Sequence, residues 1–175
     1  MIYASLESPV GSMTASAKGD ALTGLWFVGG KYYPSDTGTW AYEPDRPIFG
    51  KLREWLKDYF AGGRNLPLPP LQLEGTPFQR TVWDMLLGIP YGRVTTYGEI
   101  AKRVAAARGL RSMSAQAVGG AVGHNPISIL VPCHRVIGRD GSLTGYAGGL
   151  DRKKALLRIE GADTSTLLPL SAGIT

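Results

Sequence analysis

Cysteine and histidine are scarce in this chain. Its 175 residues include one cysteine, Cys133, and two histidines, His124 and His134. A disulfide within the chain needs a second cysteine, and a four-ligand Cys/His zinc site needs more of these residues than the chain has. The sequence therefore excludes an internal disulfide, leaves a single thiol and predicts no metal site.

The chain also lacks long apolar runs. No stretch approaches the ~18 apolar residues of a membrane span, and the N-terminus has neither the basic lead nor the apolar core of a signal peptide. A hydrophobic fraction of 43% beside 19% charged residues is sufficient to bury a core. We expect a soluble, cytoplasmic protein that has no membrane partner.

Acidic residues are few in the C-terminal part of the chain. Residues 1–75 hold seven Lys and Arg against eight Asp and Glu, whereas residues 76–175 hold twelve against six. A basic half beside a neutral half favours a polyanionic partner, most often a nucleic acid, although many basic surfaces are only solvated.

The first 75 residues have the pattern of a β-meander followed by a helix. Asp45 is a candidate cap for the helix, whose apolar residues recur at spacings of three and four up to Phe60, and Gly62 ends it. A domain boundary is expected near residue 75. The predicted strands, which turn-type clusters separate, are Met1–Ser5, Ser12–Ala17 and Leu22–Val28.

Short helices follow the boundary. Thr76 and Thr96 are predicted caps, the latter with Glu99 in a capping box, and Ser112 or Ser114 caps a helix of small residues, 115–123. Helix, turn and small-residue helix is the outline of a helix-turn-helix, whose second helix enters a DNA groove. Close packing of two helices would explain the same small residues.

The end of the chain carries the thiol. A strand-like run, Ile127–Val131, leads to Cys133, a glycine-rich loop spans Gly138–Gly149, and a last helix runs from Asp151 to Glu160. Adjacent side chains on a strand point to opposite faces. Cooperation of Cys133 with the next residue, His134, therefore requires a turn at the preceding proline or a bridging water.

Two alternatives stay open at this point. Cys133 is either a nucleophile activated by His134 or a small buried core residue, the usual fate of a lone cysteine. Glu160 stands at the negative end of its helix, which is unfavourable without a partner. It either orients the imidazole in a Cys-His-Glu relay or is an exposed helix-end glutamate.

Short blocks in a fixed order surround Cys133. They are Pro77-Phe78-Gln79, Val82-Trp83, Ile89–Ala101, Ala117–Ala121, Asn125-Pro126, Pro132–Val136, Gly145–Leu150 and Leu156–Gly161. In this order they resemble the O6-alkylguanine-DNA alkyltransferase family, and the resemblance covers residues 76–161.

The resemblance implies an α/β (α+β) fold in two domains. Residues 1–75 would form a small ribonuclease-H-like supporting domain, and residues 76–161 a mainly helical, winged helix-turn-helix-like domain that binds DNA and transfers the alkyl group. Residues 162–175 would form a flexible tail. No cofactor is expected, and residues 1–75 lack the zinc ligands that some family members carry in that domain.

The resemblance also implies an activity, methylated-DNA–protein-cysteine methyltransferase. The protein would bind double-stranded DNA in the minor groove and flip an alkylated guanine out of the stack. It would then move the O6-alkyl group to its own cysteine, once per molecule. It would act as a monomer, with cooperative binding along DNA as an alternative.

Roles carry over by position. Cys133 would be the nucleophile, His134 would take its proton through a water, and Glu160 would hold the imidazole. Arg135 would pair with a carboxylate. The residues assigned to the base or the DNA are Tyr97, Ala115, Gln116, Gly119, Asn125, Val136, Tyr146 and Ala147.

Two of these positions depart from the family pattern. Gln116 stands where many members have an arginine that fills the gap left by the flipped base, and it lacks that residue's charge and planar stacking. Ala147 stands where some members have serine, so no hydroxyl is available there. The rival functions are lesion binding without repair, a thiol hydrolase, and a helix-turn-helix regulator with a core cysteine.

Overall fold

Residues 1–162 are described by the structure, a computed structural model. They fall into two compact units: Met1–Glu74 with Pro126–Ser128, and Gly75–Asn125 with the residues from Ile129 onward. The predicted mixture of strands and helices is confirmed. No helix within this described part is long and apolar enough to cross a membrane. Apart from Ala162, the predicted tail at 162–175 lies outside the described residues.

A four-stranded sheet forms most of the first unit. Strands β1 and β2, and β2 and β3, are antiparallel neighbours, whereas β4 runs parallel to β1, which gives the order β3-β2-β1-β4. The three predicted strands are confirmed, and the short β4 was not predicted. The strands are β1 (Ile2–Ser8), β2 (Gly11–Lys18), β3 (Ala21–Phe27) and β4 (Ala41–Tyr42).

Helix α1 (Pro47–Phe60) packs beside β1. Its buried residues share the predicted apolar face, and Gly62, with a φ of 94°, follows its end. The prediction that Asp45 caps the helix is wrong, because Arg46 is the N-cap and its side chain makes no capping bond. Proline at the first helical position explains this, since it is already set at a helical φ and has no N–H to satisfy.

The predicted strand Ile127–Val131 is not formed. Ile127 makes one parallel bridge, to Leu25 of β3. Ile129 has a φ of 71°, which breaks the extended backbone and is rare for a β-branched residue. The run that leads to Cys133 is therefore a series of turns.

Four α-helices lie in the part of the second unit that the structure describes, and most of the predicted caps are confirmed. Thr76 forms a capping box, and Ser114 is the cap of the small-residue helix. Thr96 accepts a bond from the Glu99 N–H, but the Glu99 carboxylate, predicted to complete a second box, pairs with Lys102 instead (3.5 Å). The helices are α2 (Pro77–Leu87), α3 (Tyr97–Ala107), α4 (Ala115–Gly123) and α5 (Leu150–Ile159).

Helices α3 and α4, joined by residues 108–114, have the predicted helix-turn-helix outline and pack with α2. Two short strands, β5 (Thr95–Thr96), which directly precedes α3, and β6 (Val136–Ile137), which follows the Cys133 turn, form a parallel pair. It ties the start of α3 to the segment that follows Cys133. The pairing thus brings the first residue of α3, Tyr97, toward the thiol-bearing turn.

The Trp83 side chain links α2 to α4 through a buried hydrogen bond. Its buried indole N–H donates to the carbonyl of Ala121 at 2.9 Å. We expect Trp83→Phe to lower the free energy of unfolding by about 2–4 kcal/mol, because it leaves a buried carbonyl unpaired and a small cavity. Urea denaturation measures this. Trp26→Phe, at a half-buried indole, is the control, and an equal loss in both variants would contradict the assignment.

Candidate active site

The single thiol lies on a tight turn. Pro132, with φ −82° and ψ 64°, bends the chain into a 3-10 turn, Cys133–Arg135. The expectation that Cys133 ends a strand is wrong, whereas the turn at Pro132 that cooperation with His134 requires is present. Both side chains are buried. The turn thus removes the geometric objection to a Cys-His pair.

Polar groups converge on the Cys133 sulfur. The Asn125 amide donates to Sγ at 3.1 Å and to the Val131 carbonyl at 2.8 Å. Burial raises the pKa of the Cys133 thiol, while the Asn125 hydrogen bond, the charge of Lys153 and the backbone N–H groups of Cys133 and His134 act to lower it. The thiol is therefore sheltered from solvent, yet its thiolate would meet N–H donors and a nearby cation.

His134 is held by Glu160. Nε2 of the imidazole lies 2.6 Å from Oε2 of the carboxylate, and both side chains are buried. Burial lowers the pKa of His134 and outweighs the hydrogen bond to Glu160, which raises it. Since a carboxylate only accepts, Nε2 carries the proton, and Nδ1 is left as a base with no hydrogen-bond partner among the described residues.

Glu160 is the centre of a wider network. Arg135 donates to both of its oxygens, from Nε at 2.8 Å and from Nη2 at 3.0 Å, and the Gly92 N–H donates to Oε1 at 3.0 Å. Burial opposes ionisation of Glu160, but the hydrogen bonds from His134 and Arg135 and the positive charge of the guanidinium outweigh it and hold the pKa of the carboxyl well below its usual range. The predicted carboxylate partner of Arg135 is thus Glu160 itself.

Lys153 is a residue that the sequence analysis missed. Its ammonium is fully buried and donates to the carbonyls of Val136 (2.5 Å) and Thr144 (2.9 Å). Burial lowers its pKa to about 8, although Cys133 acts to raise it. A signal was available, because the buried residues Lys153, Leu156, Leu157 and Glu160 follow the i, i+3, i+4, i+7 spacing of one helix face.

Tyr97 begins α3 and reaches the glycine-rich loop. Its hydroxyl donates to the carbonyls of Thr144 (3.0 Å) and Gly145 (3.2 Å), and the Lys153 ammonium lies 5.9 Å from its ring centre. Burial, with a smaller contribution from Cys133, raises the pKa of Tyr97 to about 12. Tyr97 thus stays protonated near neutral pH and is available as a hydrogen-bond donor.

Of the predicted DNA contacts on α4, Ala115 and Gln116 lie apart from this network, whereas Gly119 lies beside the Tyr97 ring. Ala115 and Gln116 are exposed. Gly119 is half-buried, and a Cβ atom placed on it would lie 3.8 Å from the Tyr97 ring, at ordinary contact distance. Ser114 caps the helix with a bond to the Ala117 N–H of 3.0 Å. Among the described residues, no hydrogen bond or ion pair joins Ala115 or Gln116 to the thiol.

The other predicted base-contacting residues lie around the loop. Residues 138–149 contain no helix or strand, as predicted, and both Tyr146 and Ala147 are half-buried. The carbonyl of Val136, predicted to read the base edge, already accepts the Lys153 bond. Within residues 1–162 no group of three or more acidic, His or Cys side chains could hold a metal ion.

Both parts of the chain match domain models of the same protein family. Residues 77–162 match the family model "6-O-methylguanine DNA methyltransferase, DNA binding domain", and residues 1–72 match "6-O-methylguanine DNA methyltransferase, ribonuclease-like domain".

Relatives with this name are similar over most of their length. The methylated-DNA–protein-cysteine methyltransferase of Mycobacterium tuberculosis strain H37Rv is 46% identical over 90% of this chain and 91% of the relative. That of Haemophilus influenzae is 41% identical over 91% and 86%. A crystal structure of Mycobacterium tuberculosis OGT in complex with DNA covers 99% of both chains at 41% identity, with a TM-score of 0.81.

Proposed function

This chain belongs to the 6-O-methylguanine DNA methyltransferase family, and we propose that Cys133 is the residue that receives the alkyl group. It is a DNA-repair methyltransferase that moves the O6-alkyl group of guanine in DNA to its own cysteine. The observation that carries the assignment is the Asn125–Cys133 bond beside the His134–Glu160 pair, built around the chain's single thiol.

The chemical step is a displacement at the alkyl carbon. The Cys133 sulfur attacks, the new S–C bond forms as the C–O6 bond breaks, and the electron pair leaves with the guanine. The thiol proton passes through a water to Nδ1 of His134, the nitrogen that has no partner within residues 1–162. Glu160 fixes the tautomer that leaves this nitrogen free and stabilises the imidazolium that forms.

Tyr97 serves the leaving group. Its raised pKa keeps the hydroxyl protonated, and it can exchange its bonds to the loop carbonyls for one to the departing guanine. Donation there neutralises the charge that develops on the base as the bond to carbon breaks. His134 later releases the thiol proton to solvent, and the guanine anion takes up one proton from solvent, so atoms and charge balance over one reaction.

Alkylation of Cys133 inactivates the protein. A thioether has no easy leaving group, so the alkylated Cys133 is permanent and each protein acts once.

We assign DNA binding and transfer to residues 76–161 and a supporting role to residues 1–75. The protein would work in the cytoplasm as a monomer, with cooperative binding along DNA as the alternative.

DNA binding is proposed to use α4 in the minor groove. Ala115, Gly119 and the other small residues allow the helix backbone to approach a groove only about 6 Å wide. The damaged guanine would be flipped toward the loop that carries Tyr146 and Ala147. Gln116, exposed near the start of α4, would occupy the vacated space.

Gln116 gives a test of this docking mode. We expect Gln116→Arg to strengthen binding of a duplex by about 1–2 kcal/mol, because the arginine adds charge and stacking in a desolvated position. The slope of log affinity against log salt should steepen by up to about 0.9. Fluorescence anisotropy at several salt concentrations measures both. Gln72→Arg adds the same charge at an exposed position of the first unit, and equal changes in both variants would refute the proposal.

The activity itself is tested by intact mass. The protein is mixed with excess duplex containing O6-methylguanine, and we expect a gain of one methyl group, loss of the free thiol and no second turnover. Repeated turnover of a small ester would favour the hydrolase instead. Duplex binding without an adduct would favour lesion binding alone or a helix-turn-helix regulator.

A further inference from the structure

We propose that Arg135 is a positioning residue for the transfer step: by holding the charge of Glu160, it keeps His134 neutral and Nδ1 free to receive the thiol proton. The inference rests on the proposed function of Cys133 and His134. It assigns Arg135 a part in the reaction beyond the carboxylate pairing that holds the turn together.

The arginine grips the carboxylate by two bonds. Nε donates to Oε1 and Nη2 to Oε2, and Nη1 donates to the Ile89 carbonyl at 2.6 Å. Its guanidinium carbon also lies 5.8 Å from the centre of the Tyr91 ring. The side chain is only 11% exposed. Such a fork is rigid, and an arginine keeps its charge at every pH at which the protein is folded.

Few charged groups surround His134. Glu160 supplies the negative charge, and the cations or potential cations that act on His134 are Arg135 from its own turn and Lys153 from α5, with the Cys133 thiol adjacent. Arg135 already compensates Glu160. Burial is the largest effect that disfavours a proton on His134 in the resting site, and the positive charge of Arg135 adds to it, because the extra proton would leave a net positive charge in a buried cluster. During transfer the proton comes from Cys133, and the resulting thiolate supplies the counter-charge for the imidazolium.

Removing Arg135 reverses this balance. Glu160 would then lose its two guanidinium bonds and keep those from His134 and the Gly92 N–H, and a buried carboxylate 2.6 Å from an imidazole favours the imidazolium. Protonated His134 cannot accept a further proton at Nδ1. Transfer would then require a higher pH to free the base, although the nucleophile, Tyr97 and the DNA-binding helix are untouched.

The test compares the wild type with Arg135→Gln and Arg135→Lys. Single-turnover methyl transfer is measured against pH, and ¹⁵N NMR follows the His134 ring, with exposed His124 as the internal reference. For Arg135→Gln we expect the acid limb of the rate profile and the His134 titration to move together by about 1–3 pH units upward. The rate falls about tenfold per unit below the limb and recovers above it. Arg135→Lys keeps the charge but loses the two-bond fork, so its acid limb and its His134 titration should stay near those of the wild type while its plateau rate falls.

Two results would overturn the inference. One is a uniform loss of rate in Arg135→Gln with the acid limb unmoved, the pattern of a purely structural arginine. The other is an imidazolium at His134 in the wild type at pH 7, which decides the matter even if Arg135→Gln does not fold. The NMR measurement needs no substrate, so it separates failure of this inference from failure of the methyl-transfer proposal.

Discussion

Cys133→Ser should lose methyl transfer by roughly 10⁴–10⁶-fold, the order seen when an enzyme's nucleophile is removed. A serine hydroxyl stays protonated beside a neutral imidazole and is a far weaker nucleophile toward an alkyl carbon than a thiolate. The variant also has no thiolate for the Asn125 amide to stabilise by its hydrogen bond. The measurement is single-turnover transfer from a duplex that contains O6-methylguanine.

The control is built into the same variant. The hydroxyl is smaller than the thiol but fits the turn, so thermal unfolding and duplex binding should stay close to those of the wild type. A variant that still removes methyl groups at a measurable rate would mean that another residue is the acceptor. The single-use mechanism would then have to be abandoned.

Glu160→Ala should be the most destabilising substitution in the site, at about 3–5 kcal/mol. It leaves buried Arg135 without its counter-charge, His134 without its partner and the Gly92 N–H unpaired. The measurement is urea denaturation at pH 7. Glu99→Ala, at a half-buried carboxylate that pairs with the exposed Lys102, is the matched control and should cost less than about 1 kcal/mol.

The effect of Glu160 has a definite pH dependence. Its pKa is lower in the folded protein than in the unfolded chain, so its stabilisation is fully present above the ordinary value of about 4.3 and is lost as the pH falls below it. The difference between wild type and Glu160→Gln should therefore shrink on acidification. A difference that grows or stays constant toward low pH would contradict the ionised state assigned to Glu160.

Most of the fold could be predicted because local signals agree with it. Short runs between turn-type clusters locate β1 to β3, and Thr76 and Ser114 mark helix starts that the structure confirms. The failures have physical causes. The backbone of Ile129 takes a positive φ that its side chain disfavours, and proline at the start of α1 makes an acidic cap unnecessary. Neither effect leaves a trace in hydrophobic periodicity.

The site was only partly predictable. A lone thiol beside a histidine identified Cys133 and His134, but their cooperation depends on the turn at Pro132, which a strand-like run conceals. Glu160 was a candidate because a carboxylate at the negative end of a helix needs a partner. Lys153 was missed because a lysine in a charged helix is ordinarily solvent-exposed, and its burial depends on bonds to the carbonyls of Val136 and Thr144, which only the folded chain brings to it.

The most direct test of alkyl transfer to Cys133 is to locate the methyl group after reaction. Trypsin should release Ser112–Arg135 as one peptide, which contains the thiol and also Met113. After reaction with one equivalent of O6-methylguanine duplex, we expect fragmentation to place one methyl group on Cys133 of this peptide. A methyl group on any other residue, or an unmodified peptide from DNA whose lesion has been repaired, would contradict the account.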